Sequence, residues 1–258
     1  MIVVESVTFR HKGAASPVLD DVGFALGDGE VAALLGPNGS GKTTLFKCIA
    51  GHWLPEAGSI RLAGDEVAFL SHRERARRLA VVPQDHGSPF SYSVRELVLM
   101  GRAPHVGPFG VPSRTDHTAA EEAMALVGIT ALAERDITRI SGGERQMVLV
   151  ARALAQGSRI LLLDEPTSHL DLRNQLSVLV RVREAARERG LTVLMTLHDP
   201  NLALMFADRV VLLKNGRVVG DGPPETVVDE AAIATVYGVA ADVVAVAGRR
   251  AVVPRVAS

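Results

Sequence analysis

The sequence predicts an α/β fold built around a parallel sheet, on three observations. Short runs rich in Val, Ile and Leu recur at 31–35, 79–82, 160–163, 191–197 and 209–213. They lack the polar alternation of a half-solvated strand, so they read as strands buried on both faces. Stretches of helical period lie between several of them, at 42–50, 118–127, 144–155 and 172–189, and strand alternating with helix is the pattern of an α/β domain. The chain has 258 residues, 47% of them hydrophobic and 22% charged. That is enough to bury a sizeable core, and it excludes a disordered or low-complexity protein.

In chain order, the strand at 31–35 runs directly into Gly36-Pro37-Asn38-Gly39-Ser40-Gly41-Lys42-Thr43, with Thr44 next in the following helix. Two glycines, a lysine and a hydroxyl residue at this spacing form a Walker A phosphate loop. The glycines let successive N–H groups converge on one centre, and the helix adds its positive N-terminal end. Lys42 then reaches terminal phosphates and the Thr43 hydroxyl serves Mg²⁺. Chance alone gives such a pattern in roughly one chain of this length per hundred or fewer. Lysine occurs only at 12, 42, 47 and 214, against 24 arginines. An arginine-rich chain that keeps a slender point charge here fits tight phosphate packing.

The strand at 79–82 is followed by Pro83 and Gln84. Residues 85–140 offer no convincing strand and carry turn-prone clusters at 101–104 and 107–113, so they read as a mostly helical insertion, bounded at about 85–158. The basic stretch 72–78 reads as a solvated helical face. Ser141-Gly142-Gly143-Glu144 precedes a helix. Ser followed three residues on by Glu is a capping box. The two glycines go beyond a cap, because they expose N–H groups that suit an anion. The strand at 160–163 ends in Asp164-Glu165. Phosphoryl transfer to water needs one carboxylate to hold Mg²⁺ and a second group to orient the water, roles that suit Asp164 and Glu165 in turn. His198 closes the run 191–197, where it is either a structural hydrogen-bonding residue or a contact to a γ-phosphate. From 221 the chain opens a small appendage with Gly222-Pro223-Pro224. A helical stretch ending at Tyr237-Gly238 follows, then a hairpin of 243–246 and 251–253 around Gly248.

Formal charge is −1, so no basic field favours nucleic acid or an anionic bilayer. Apolar runs fall far short of the ~20 residues of a membrane span, and residues 1–5 lack the basic start and apolar block of a signal peptide. The one cysteine, Cys48, fits a reducing compartment. The seven other histidines show no metal-ligand spacing.

In this order and at these separations, the motifs resemble the ATP-binding cassette of an ABC transporter. They are Walker A at 36–43, Gln84, a signature at 140–145, Walker B at 160–165, Ser168-His169-Leu170-Asp171 and His198. The resemblance spans nearly the whole chain, read as one domain of residues 1–258. It implies a P-loop NTPase with a parallel-sheet core, an ABC-type antiparallel β subdomain and an inserted helical subdomain. It also implies a homodimer that sandwiches ATP, with Ser141, Gly142 and Gly143 of one copy facing the loop of the other. Carried over by position, Lys42 and Thr43 bind phosphates and Mg²⁺, and Gln84 senses Mg²⁺ or the attacking water. Asp164 supports Mg²⁺, Glu165 is the general base, Asp171 acts across the dimer and His198 holds the γ-phosphate. The signature reads Ile140-Ser141-Gly142-Gly143-Glu144 where Gln is commoner at the last position. The aromatic that stacks on adenine falls at His11, with Phe9 as its rival.

Val82-Pro83-Gln84, Ser93-Val94-Arg95-Glu96, Met100-Gly101-Arg102-Ala103-Pro104 and Leu197-His198-Asp199-Pro200-Asn201-Leu202-Ala203 narrow the likeness, as does Val236-Tyr237-Gly238. They resemble cassettes of importers for iron–siderophores, haem and cobalamin; related cassettes serve molybdate-type oxyanions, zinc or manganese. The resemblance implies two integral-membrane permease subunits, an extracytoplasmic substrate-binding protein acting indirectly, and a place on the cytoplasmic face of the inner membrane. A soluble ABC ATPase acting on nucleic acid or ribosomes is the alternative of another class, and the near-neutral charge argues against it. A small-molecule kinase would leave the signature and His198 without a role.

Overall fold

The computed structural model describes residues 1–84, 91–107, 110–246 and 248–255. The opening of the strandless region and part of the 107–113 turn cluster lie outside the described residues. The chain forms two compact units, one of Met1–Phe69 with Thr192–Ser258 and the other of Leu70–Leu191.

The first unit opens with β1 (Ile2–Phe9), β2 (Leu19–Leu26), β3 (Val31–Leu35), α1 (Lys42–Ile49), β4 (Ala57–Leu62) and β5 (Asp65–Glu66). Strands β2, β1, β4 and β5 form an antiparallel sheet, in which Ile2 pairs with Leu26 on one side and Leu62 on the other. Leu19, Val22, Phe24 and Leu26 of β2 turn inward. Ser6 and Asp21 sit at φ 47° and 54°, and the β1–β2 register shifts between Val4 and Val7. These bulges break the period of two, so this sheet does not stand out in the sequence.

The second unit contains α2 (His72–Arg78), β6 (Leu79–Val82), α3 (Val94–Leu99), α4 (Arg114–Val127), α5 (Gly142–Ala155), β7 (Ile160–Leu163) and α6 (Leu172–Arg189). Strands β6 and β7 are parallel, with Leu79 facing Ile160 and Val82 facing Leu163. Capping boxes start α2, α3, α4 and α5, from Ser71/Glu74, Ser93/Glu96, Ser113/Asp116 and Ser141/Glu144. The box at Ser113 starts α4 four residues before its apolar periodicity becomes visible. Its acidic member, Asp116, is buried and pairs with Arg102 at 2.9 Å. Arg102 also donates to the Ala155 carbonyl at 2.8 Å, which ties the start of α4 to the end of α5.

The chain then returns to the first unit as β8 (Thr192–Thr196), α7 (Pro200–Phe206), β9 (Arg209–Lys214), β10 (Arg217–Gly222), α8 (Pro224–Val227), α9 (Glu230–Tyr237), β11 (Ala241–Val246) and β12 (Arg249–Pro254). Strand β3 lies between β8 and β9 and is parallel to both, and β10 runs antiparallel on β9. Every residue of β3 and β8 is buried, which explains their uninterrupted apolar character. The tail hairpin is present, with Val246 paired to Arg249. No helix among the described residues is long and apolar enough to cross a membrane.

Candidate functional site

Each unit carries a pair of adjacent parallel strands, and candidate functional side chains leave the carboxyl ends of those strands. Ligands gather at this edge of a parallel sheet.

In the first unit β3 and β8 run in register, Leu34 beside Thr196, and the Leu197 N–H donates to the Leu34 carbonyl. Gly36 and His198 therefore emerge side by side. At Gly36 a Cβ atom would lie 2.3 Å from the Leu213 carbonyl oxygen and 2.7 Å from Ser40 Oγ, so only glycine fits the bend. Gly41 is the N-cap of α1 and supplies no side-chain cap, and the first turn of α1 holds no acid. The amides at this helix end are thus left to an anion. Lys42 is 6% exposed, and its Nζ donates to the carbonyls of Gly36 at 2.7 Å and Pro37 at 3.1 Å. Asn38, Gly39 and Thr43 are exposed, Thr44 is buried, and the buried Ser40 Oγ has no hydrogen-bond partner among the described residues. A glycine-only bend, a buried hydroxyl and a buried lysine ammonium beside uncapped helix amides fit a triphosphate, whose charged oxygens are strong acceptors for that ammonium.

His11 and its rival Phe9 belong to one aromatic cluster with Trp53. Phe9 stacks on Trp53 with centroids 5.3 Å apart, and His11 meets both rings edge-on at 5.1 and 5.0 Å. Lys47 Nζ lies 4.4 Å from the Trp53 ring centroid. Phe9 is buried beneath the cluster, so His11 and Trp53 are the outward rings. Trp53 escaped the sequence reading because nothing local links it to β1.

In the second unit β6 and β7 repeat the arrangement. The Asp164 N–H donates to the Val82 carbonyl, and Gln84 and Glu165 leave adjacent strand ends. Gln84 Nε2 donates to Glu165 Oε2 at 2.6 Å, and Ser168 Oγ donates to the same oxygen at 2.8 Å. Glu165 holds φ 48°, a left-handed conformation uncommon outside glycine. Ser168 lay within a recognised stretch, but its bond depends on the turn after Pro166, which spacing alone does not define.

Ser141 caps α5, accepting from the Glu144 N–H, while the Glu144 carboxylate accepts from the Ser141 N–H and hydroxyl. Those bonds, the Ser141 hydroxyl foremost, hold the Glu144 carboxyl below its ordinary range. Ser141 and Gly142 are exposed. Gly143 is buried, and a Cβ there would lie 2.6 Å from Asn174 Cγ. Asp171 is the N-cap of α6; it accepts from the Asn174 N–H at 2.8 Å and from Asn174 Nδ2 at 3.1 Å. The second signature glycine thus also has a packing reason, through a side chain that Asp171 orients. Among the described residues no group of three or more His, Cys, Asp or Glu is placed to hold a metal. Burial pushes the Cys48 thiol up to about 12, so it is chemically quiet.

Residues 19–168 match the ABC transporter family. The chain is 45% identical over 225 residues to the hemin import ATP-binding protein HmuV of Nocardia farcinica, covering 87% of this chain and 77% of that one. It is 44% identical over 214 residues to the cobalamin import ATP-binding protein BtuD of Halobacterium salinarum, covering 83% of this chain. The match spans 53% of that relative, about half its length. Among solved structures, a metal-chelate type ABC transporter in an inward-facing conformation superimposes with a TM-score of 0.87 at 31% identity, covering 99% of this chain and 97% of that one.

Proposed function

We propose, since the chain belongs to the ABC transporter family, that it is the ATP-binding and ATP-hydrolysing subunit of an import system whose cargo is a metal chelate. The observation that carries the catalytic part is the grip of Gln84 and Ser168 on one oxygen of Glu165. Two donors on one oxygen fix the plane of the carboxylate, as aiming a water molecule requires. The likeness to the hemin and cobalamin import proteins supports the cargo class.

In this reading the amides of residues 36–44 and the Lys42 ammonium hold the phosphates. Thr43, Gln84 and Asp164 offer a hydroxyl, an amide and a carboxylate oxygen, a hard donor set that suits Mg²⁺. The ion neutralises phosphate charge when bound. Glu165 takes the proton of the attacking water, His198 contacts the γ-phosphate, and His11 with Trp53 faces adenine. Ser141, Gly142, Gly143 and Asp171 act across a homodimer. The dimer works at the cytoplasmic face of the inner membrane beneath two permease subunits, and a substrate-binding protein outside delivers the cargo.

Affinity isolation of the tagged chain from detergent-solubilised membranes tests this reading. It is expected to recover an integral-membrane permease pair whose cargo, assayed in vesicles, is a haem, corrinoid or siderophore complex. Recovery of an oxyanion permease would overturn the cargo class. Recovery of ribosomal or nucleic-acid-binding proteins alone would overturn the importer reading.

A further inference from the structure

We propose that the C-terminal appendage positions His198, acting through Asn201 and β12; this rests on the γ-phosphate role given to His198 above. His198 leaves β8 and is followed by Asp199, whose side chain accepts from the Asn201 N–H at 2.8 Å and so caps α7. The Asn201 amide then turns to β12. Its Oδ1 accepts from the Val252 N–H at 2.8 Å, and its Nδ2 donates to the Val252 carbonyl at 3.2 Å.

Both backbone polar groups of Val252 are spent on this one side chain, so Asn201 takes the place of a neighbouring strand along β12. A two-point contact fixes orientation, where a single hydrogen bond would leave rotation about its axis. Helix α7 is only seven residues long. A helix of that length does not hold itself in water, so its first turn, with the peptide that carries His198, takes its position from outside contacts.

The appendage can serve as that reference because it is itself anchored. Lys214 of β9 donates to the Thr235 carbonyl in α9, and the Glu230 carboxylate accepts from the Val243 N–H in β11. Asp242 pairs with Arg255 across the hairpin. A second contact converges on the same turn. Among the described residues the Tyr237 hydroxyl at the end of α9, which is buried, has no hydrogen-bond partner of normal geometry, and it lies near the Asp199 carboxylate and the Gly36 backbone. Burial, and then the Asp199 charge, push this phenol up to about 12, with the Gly36 N–H opposing weakly, so it remains a neutral spacer between appendage and turn. The aligned strand ends of β3 and β8 make the placement consequential, because a shift of the turn moves His198 relative to the phosphate loop.

The test uses the full chain with Glu165→Gln in the background, so that nucleotide is bound without turnover. Dissociation constants for ATP and for ADP are measured for this protein and with Asn201→Ala, His198→Ala and both together. Asn201→Ala is expected to lower the preference for ATP over ADP by about five- to tenfold, the scale of one misplaced hydrogen bond to a charged group. Affinity for ADP should stay within about twofold, since ADP lacks the phosphate that His198 reads. The double variant should match His198→Ala alone, because Asn201 acts through His198. An unchanged ATP preference in Asn201→Ala overturns the proposal. So does an equal loss for ADP, which is the signature of general unfolding, and so does a double variant whose losses simply add. A parent protein that binds neither nucleotide overturns the functional reading itself.

Discussion

Glu165 combines a left-handed backbone, which costs on the order of 1–3 kcal/mol for a non-glycine residue, with two hydrogen bonds to one carboxylate oxygen. Such strain is stored where orientation matters. Lys42 is the other side chain on which the proposal turns, buried with its Nζ donating to the Gly36 and Pro37 carbonyls. Lys42→Ala should weaken ATP binding by at least about tenfold in calorimetric titration. Lys42→Arg should fail comparably, because the buried slot does not fit a planar guanidinium; full affinity in either variant contradicts the loop's role. The phenol of Tyr237 gives a pH signature. Its folded value, about 12, lies above the ordinary value near 10. Its contribution to stability is therefore complete below pH ~10 and is lost as pH rises toward 12. Tyr237→Phe should reduce the alkaline fall of the melting temperature, and an unchanged profile would contradict the burial of the hydroxyl. The placement of Lys42, Glu165 and His198 at or just beyond the ends of their strands was legible from the sequence. Ser168, Trp53 and Asn174 were not, because each acts through a partner that only the folded chain brings near.

The signature helix and its neighbour show the same division at the scale of elements. Ser141 and Glu144 announce the start of α5 in the sequence, but the contact of Gly143 with Asn174 is tertiary. Gly143→Ala should cost about 1–3 kcal/mol in chemical denaturation, and adding Asn174→Ala should recover much of it; no recovery would mean that backbone conformation, not this contact, demands the glycine. At α4, the Ser113 hydroxyl first and Arg102 second hold the Asp116 carboxyl well below the usual carboxylate range. That stability is present above the unfolded value near 4 and is lost as pH falls through the lower folded value. Asp116→Asn should flatten the acid limb of the stability profile while lowering stability at neutral pH; an unchanged acid limb would contradict it. The parallel strands were legible because they are buried on both faces. The antiparallel sheet was not, because bulges at Ser6 and Asp21 break its alternation, and α4 began earlier than its apolar period because its first turn is polar.

At the scale of the molecule, each compact unit carries adjacent parallel strands whose carboxyl ends hold side chains that the proposal gives a phosphate role. Ser141 and Gly142 are exposed, and the proposed homodimer sets them against the phosphate loop of a second copy. In the presence of ATP and magnesium, the Glu165→Gln chain should elute from size-exclusion chromatography as a dimer and revert to monomer when nucleotide is removed. A chain that remains monomeric at saturating ATP would remove the sandwich from the account. The most direct measurement pairs ATP binding with ATP turnover in purified Glu165→Gln. The variant should bind ATP within about threefold of the unaltered chain while hydrolysing it at least about a hundredfold more slowly. Hydrolysis at the unaltered rate would contradict the assignment of Glu165 as the base, and with it the mechanism.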